Sequence, residues 1–300
     1  MSACKNTILV PVSFSEHSHV LLEQTFNLAR LNNASITLLY VMPGNTSAFY
    51  IPFFSRVQSK LMIEKYHNEC LNILNDIIKK VAHKTDVPIK PMVEQGKVYA
   101  KIIEVSEKIK AKYIVMGVEE YDPKRKRSKV IGSNTLRVLK ETKRPVVTIQ
   151  GKNFTDGCRT ILLPLDPTKE IKIKVRRAIE LAHFYNAEVK IFTSILSADQ
   201  RIVGHIKIRI ENARRKIMDN QIVCTAEVRL GIKGKDTLGQ MILKYAHEVN
   251  ADLIMIMTQQ EMDWVESFVG STAQEIVIKS SIPVLSLSPI CAGAKSKKSK

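Results

Sequence analysis

Thr7-Ile8-Leu9-Val10-Pro11-Val12-Ser13 and Thr160-Ile161-Leu162-Leu163-Pro164-Leu165-Asp166 are one seven-residue pattern written twice, 153 positions apart. The same offset aligns Leu28-Ala29 with Leu181-Ala182 and Asn33-Ala34 with Asn186-Ala187. Farther on, Gly132-Ser133 matches Gly270-Ser271 and Pro145-Val146 matches Pro283-Val284, both at an offset of 138. Offsets that hold across whole segments signal an internal repeat. A chain of 300 residues also suits two domains of about 150 residues each. The boundaries expected are a first domain over 1–151, a linker over 152–158, a second domain over 159–290 and a basic tail over 291–300. The shorter second offset means a net loss of about fifteen residues from copy two, placed after its second strand. There, copy one runs through Pro43-Gly44-Asn45 to Phe54, whereas copy two passes almost directly from Ile195-Leu196-Ser197 into helix.

Each copy alternates between two periodicities. Ile8 to Val12 is a short β-rich apolar run, as expected of a strand buried on both faces. Residues 15–32 carry helical spacing through Leu21, Leu22, Phe26, Ala29 and Leu31. Strands then follow at Ile36 to Met42, Ile89 to Val93, Tyr113 to Met116 and Val146 to Ile149, separated by helical patterns at 58–84, 102–109 and 136–139. Pro91 cannot donate to a ladder, so the third strand is expected at a sheet edge. Copy two repeats the order from Ile161 to Leu287. Alternating strands and helices imply right-handed crossovers and a parallel sheet covered by helices on both faces.

The βαβ order, the Ile-Leu-x-Pro-hydrophobic opening and the late Gly-Ser resemble the universal stress protein family, over nearly the whole chain and twice. The resemblance implies an α/β fold of two tandem, doubly wound, five-stranded parallel sheets of order 3-2-1-4-5, of the adenine nucleotide alpha hydrolase-like kind. It also implies pairing of partners through their fifth strands, here Val146 to Ile149 and Val284 to Ser288, as a pseudo-dimer within the chain. Further homodimerisation is left open. Members that bind ATP place it at the carboxyl ends of strands one and four, where a doubly wound sheet opens a crevice at its switch point. Carried onto this sequence, the crevice takes Pro11, Val12, Ser13, Val41, Met116, Gly117, Gly132, Ser133 and Asn134. In copy two it takes Leu165, Asp166, Gly270, Ser271 and Thr272. The ligand implied is ATP or another adenine nucleotide.

The chemistry of such a site asks for particular residues. Glycines let backbone approach phosphate, a helix amino terminus offers free N–H groups to an anion, and an Asp accepts hydrogen bonds from the nucleoside. The family loop reads Gly-x2-Gly-x9-Gly-Ser/Thr after an Asp on strand one, and both copies depart from it. Copy one has Ser13 at the Asp position, Glu120 at the second Gly, and eleven residues rather than nine before Gly132-Ser133. Glu120 beside a phosphate would repel it by about 1 to 4 kcal/mol, which the run Lys124-Arg125-Lys126-Arg127 could offset. Copy two keeps Asp166 and the spacing, but its loop opens Met257-Thr258-Gln259-Gln260. The expectation is therefore a stress-response regulatory or binding protein with degenerate nucleotide sites, and not an enzyme. On a purely structural reading, Gly132-Ser133 and Gly270-Ser271 only start helices, with Ser133 and Ser271 helping the helix entry.

Composition bounds the alternatives. Lys and Arg number 46 against 29 Asp and Glu, a net +17. The excess is spread over both halves, which leaves nucleic-acid binding through a basic surface as an alternative reading, though an unfavoured one. Tyr121 is the one aromatic beside the basic run, too little for a base-stacking platform. Weak ATP binding or hydrolysis on the same fold is the other alternative, because fold alone never assigns chemistry. No complete P-loop and no Gly-x-Ser-x-Gly elbow occurs. His17 and His19 stand at i and i+2 and would not face one side of a helix, so no metal site is expected. Trp264 in the copy-two loop is expected to pack as core or lid. The five cysteines are scattered and form no CxxC pair, as for reduced thiols in a cytosol. No apolar stretch approaches the ~20 residues of a membrane helix, so a soluble, cytoplasmic protein is expected.

Overall fold

The structure, a computed structural model, describes residues 4–15, 18–43, 56–118, 132–150, 157–166, 171–195, 200–231, 236–258 and 270–288. The run 124–129, Glu120, Trp264, His17 and the carboxyl-terminal tail lie outside the described residues. Copy one runs β1 (Asn6–Pro11), α1 (Ser18–Leu31), β2 (Ala34–Pro43), α2 (Arg56–Val81), β3 (Ile89–Gly96), α3 (Val98–Lys108), β4 (Tyr113–Gly117), α4 (Ser133–Glu141) and β5 (Val146–Ile149). Copy two runs β6 (Thr160–Pro164), α5 (Lys172–Tyr185), β7 (Glu188–Ile195), α6 (Gln200–Met218), β8 (Cys224–Leu230), α7 (Leu238–Glu248), β9 (Leu253–Met257), α8 (Ser271–Lys279) and β10 (Val284–Leu287). Both copies have the strand order 3-2-1-4-5.

The apolar runs become the central strands for the expected reason. Ile8, Leu9 and Val10 on β1 and Ile161, Leu162 and Leu163 on β6 are wholly buried. β1 pairs parallel with β2 on one side and β4 on the other, and β6 likewise with β7 and β9. The helices between strands end by the same device in both copies. Asn33 and Asn186 take left-handed φ values of 44° and 53°, which Asn tolerates better than most residues. Ala187 N–H then reaches back to the Ala182 carbonyl at 2.9 Å, closing the helix end.

β3 lies at the edge, as Pro91 requires. Ile36 N–H donates to the Pro88 carbonyl, so the even-numbered residues of β3 face β2. Pro91 therefore turns its missing N–H outward and removes nothing from the β2 ladder.

The register shows where copy two lost residues. Ile8 pairs with Tyr113 and Ile161 with Leu253, while Ile36 pairs with Ile89 and Val189 with Cys224. The offset is thus 135 at the third strand and 140 at the fourth. Residues are lost around α6, which has 19 residues against 26 in α2, and partly regained before α7.

By contacts the chain forms two compact units. The described residues up to Gly117, together with 132–144, form one; Val118 and the described residues from Pro145 onward form the other. β5 therefore belongs to copy one by sequence and to the second unit by packing. There it pairs antiparallel with β10, Val146 opposite Ser286 and Thr148 opposite Val284, with all four β5 residues buried. Among the described residues no helix is long and apolar enough to cross a membrane.

Candidate functional site

In copy one the expected residues lie at and just after the end of β1 (Pro11, Val12, Ser13), on β2 (Val41), at the end of β4 (Met116, Gly117) and at the start of α4 (Gly132, Ser133, Asn134). Val12 N–H donates to the Leu39 carbonyl at 2.9 Å, and Leu165 N–H donates to the Phe192 carbonyl at the same distance in copy two. The ladder therefore carries one residue past each proline before the chain turns away. Ser13 is the first residue beyond it and is exposed. Its carbonyl accepts from the Ser18 hydroxyl, and its own hydroxyl lies 3.4 Å from that of Ser15. Hydroxyls thus tie the first turn of α1 to the loop.

Val41 and Met116 are buried and offer no polar side chain. Gly117 is exposed at the end of β4. A Cβ there would meet only Leu21 Cδ2, at 3.9 Å, among the described residues. Packing by the described residues does not demand a glycine there. Val118 N–H donates to the Ile149 carbonyl at 3.2 Å, and Thr258 N–H to the Leu287 carbonyl at 3.0 Å. Met257 is therefore the copy-two counterpart of Gly117, half-buried at the end of β9. Asp166 follows the end of β6, also half-buried.

Gly132 and Gly270 are the N-cap residues of α4 and α8, with φ/ψ of −55°/136° and −56°/147° and no side-chain capping bond. Gly132-Ser133 and Gly270-Ser271 do start helices, with the glycines rather than the serines at the N-cap position. The serines are the first helical residues, one position too late for a side-chain oxygen to cap in the usual N-cap geometry. Asn134 and Thr272 follow them, half-buried. Each helix thus presents its first-turn amides without a side-chain cap, the arrangement that favours an anion.

The residue-by-residue reading missed an aromatic pair. Phe14, next to Ser13, stacks on Tyr40, next to Val41, with ring centroids 3.8 Å apart and planes 16° from parallel. Burial, with help from Tyr66, pushes the Tyr40 phenol far above its ordinary pKa, so it stays neutral. The signal was local: both aromatics adjoin residues the motif had already selected. Phe14 keeps 36% of its surface exposed and offers a flat apolar face beside the loop.

A doubly wound α/β domain whose first strand lies between its second and fourth has its switch point there and is of the nucleotide-binding-like type. The model of the universal stress protein family matches residues 5–150 and again 157–287, and the chain belongs to that family, as a tandem member.

Among solved structures, a universal stress protein from Archaeoglobus fulgidus DSM 4304 is similar at 18% identity and a TM-score of 0.69, covering 97% of this chain and 98% of that one. A functionally unknown protein from Pseudomonas aeruginosa PAO1 is similar at 15% identity and a TM-score of 0.64, covering 96% and 94%. A universal stress protein from Archaeoglobus fulgidus in complex with dAMP matches 43% of this chain and 96% of its own, at 23% identity and a TM-score of 0.33. No match is found among the curated proteins.

Proposed function

We propose that this chain is a stress-response regulatory protein that acts by binding rather than catalysis, and that its two crevices are degenerate nucleotide sites. One observation carries the reading: Met257 stands where copy one has Gly117. Copy two keeps the polar partner Asp166 but puts a side chain where phosphate would approach. Copy one keeps the glycine, Gly117, but has only Ser13, already engaged with Ser15 and Ser18, in place of the Asp. Each copy thus retains a different part of the family's site. Titration calorimetry of the full chain with ATP, ADP and AMP tests this. Weak or absent binding is expected, and a submicromolar affinity would overturn it. Phosphate release from ATP is expected to stay at background.

The β5–β10 pairing supports the further reading that the two copies work as a pseudo-dimer within one chain. The free state of Cys4, Cys70, Cys158 and Cys224 supports a reducing, cytoplasmic setting.

A further inference from the structure

The two outermost strands, β3 and β8, occupy equivalent places in their copies and differ in one respect. In β8, Gly231 N–H donates to the Ile195 carbonyl and the Val223 carbonyl accepts from Val189. The odd-numbered residues of β8 therefore face β7, and the N–H and C=O groups of Cys224, Ala226, Val228 and Leu230 point outward. The register makes Ala226 the counterpart of Pro91. Copy one blunts its edge with a proline at an outward position; copy two has a donor there. No strand among the described residues pairs with the outer side of β8.

From this edge we infer a self-association surface: a second copy of this chain adds to β8 antiparallel, across a two-fold axis at Val228. Charge selects the register. With the axis at Val228, Glu227 lies opposite Arg229 of the second copy, and Arg229 opposite its Glu227. Both are non-hydrogen-bonded pairs, where opposed side chains come closest. An axis at Glu227 would instead set two carboxylates face to face. The Glu227 and Arg229 side chains already lie on one face, 3.1 Å apart, with Arg229 held by Glu248 at 2.7 Å and laid over the Tyr245 ring. They are therefore pre-positioned for the second copy. On the other face, Val228 meets Val228, and Ala226 meets Leu230, which is 63% exposed. An edge with outward donors, an apolar row on one face and self-complementary charges on the other fits strand addition by its own copy.

Sedimentation velocity on the full chain reads the result. The wild type is expected to dimerise reversibly. Glu227→Arg and Arg229→Glu each place like charges opposite one another twice, and each is expected to weaken the dimer about tenfold or more. Mixing the two variants restores complementary pairs and is expected to recover a one-to-one heterodimer, which damage to the fold would not do. Val228→Cys is a second probe, independent of the charges. A cysteine on the axis faces its own copy, so a short bis-maleimide should yield a covalent dimer mapped to position 228. A wild type that stays monomeric at high micromolar concentration overturns the proposal. So does a dimer that neither the charge variants nor the Val228→Cys crosslink reports.

Discussion

Replacing Met257 by Gly should move stability and nucleotide affinity in opposite directions. Met257 is half-buried at the end of β9, paired with Leu287 on β10. A fully buried side chain of this kind contributes about 1.5 to 3 kcal/mol, so this one contributes about 1 to 1.5. Glycine in a strand costs about another 0.5 to 1 kcal/mol. The variant should therefore lose about 2 kcal/mol of stability, or about 4 to 8 °C in Tm for a unit of this size. A nucleotide entering the copy-two crevice must first displace the methionine from its seat, at a cost close to the same 1 to 1.5 kcal/mol. Removing the side chain returns that amount to binding, about a tenfold gain in affinity. The assay is calorimetry with ATP beside a thermal melt of the same preparation. The converse variant, Gly117→Met, should fold normally, since among the described residues a Cβ there meets only Leu21 Cδ2, at 3.9 Å, and should remove any residual binding by copy one. Unchanged affinity in Met257→Gly, with the stability loss present, would refute the view that this side chain blocks the crevice.

Other outcomes follow from the packing and the titrating groups. Phe192 is wholly buried and stacks on Tyr245 at 4.6 Å; Phe192→Ala should cost about 3 to 5 kcal/mol in urea unfolding. Thr237 accepts from Gln240 N–H at 3.1 Å in a capping box and donates to Glu275 at 2.8 Å; Thr237→Ala should lose about 1 kcal/mol, read as a lower thermal midpoint. Hydrogen bonds from Arg214 and then Arg215 hold the Glu211 carboxyl down to about 2, against an ordinary 4.5. A lowered carboxyl stabilises above its unfolded value and loses that contribution as pH falls through its folded one. The urea midpoint should therefore drop more steeply between about pH 4.5 and 2 in wild type than in Glu211→Gln. Burial pushes the Cys158 and Cys224 thiols up to about 12, so neither should react with a thiol reagent at pH 8 until the chain is unfolded.

Much of this molecule was legible in its residues because the deciding signals are local. A short β-rich run such as Ile8-Leu9-Val10, bounded by a proline, suits a strand buried on both faces, and writing it twice at a constant offset implies two copies of one scaffold. Pro91 announced its edge because it lacks a donor, and the structure adds only that the missing N–H faces outward. The places of the candidate residues were readable because they adjoin those elements: Ser13 follows β1, Gly117 ends β4, and Gly132 opens α4.

Tertiary structure decided whatever depends on partners distant in sequence. That Gly132 and Gly270, rather than the serines, are the caps depends on where each chain enters its helix. That Met257 stands in the place of Gly117 was already legible in the loop spacing, and two ladder bonds, Val118 to Ile149 and Thr258 to Leu287, show the same equivalence in space. The stacking of Phe14 on Tyr40 joins the loop after β1 to β2, 26 residues farther along the chain. β5 packs with the second unit because β10 is there to receive its hydrogen bonds, and a strand's own residues do not say which edge will complete it. Periodicity writes which residues must be buried; only the folded register determines against what.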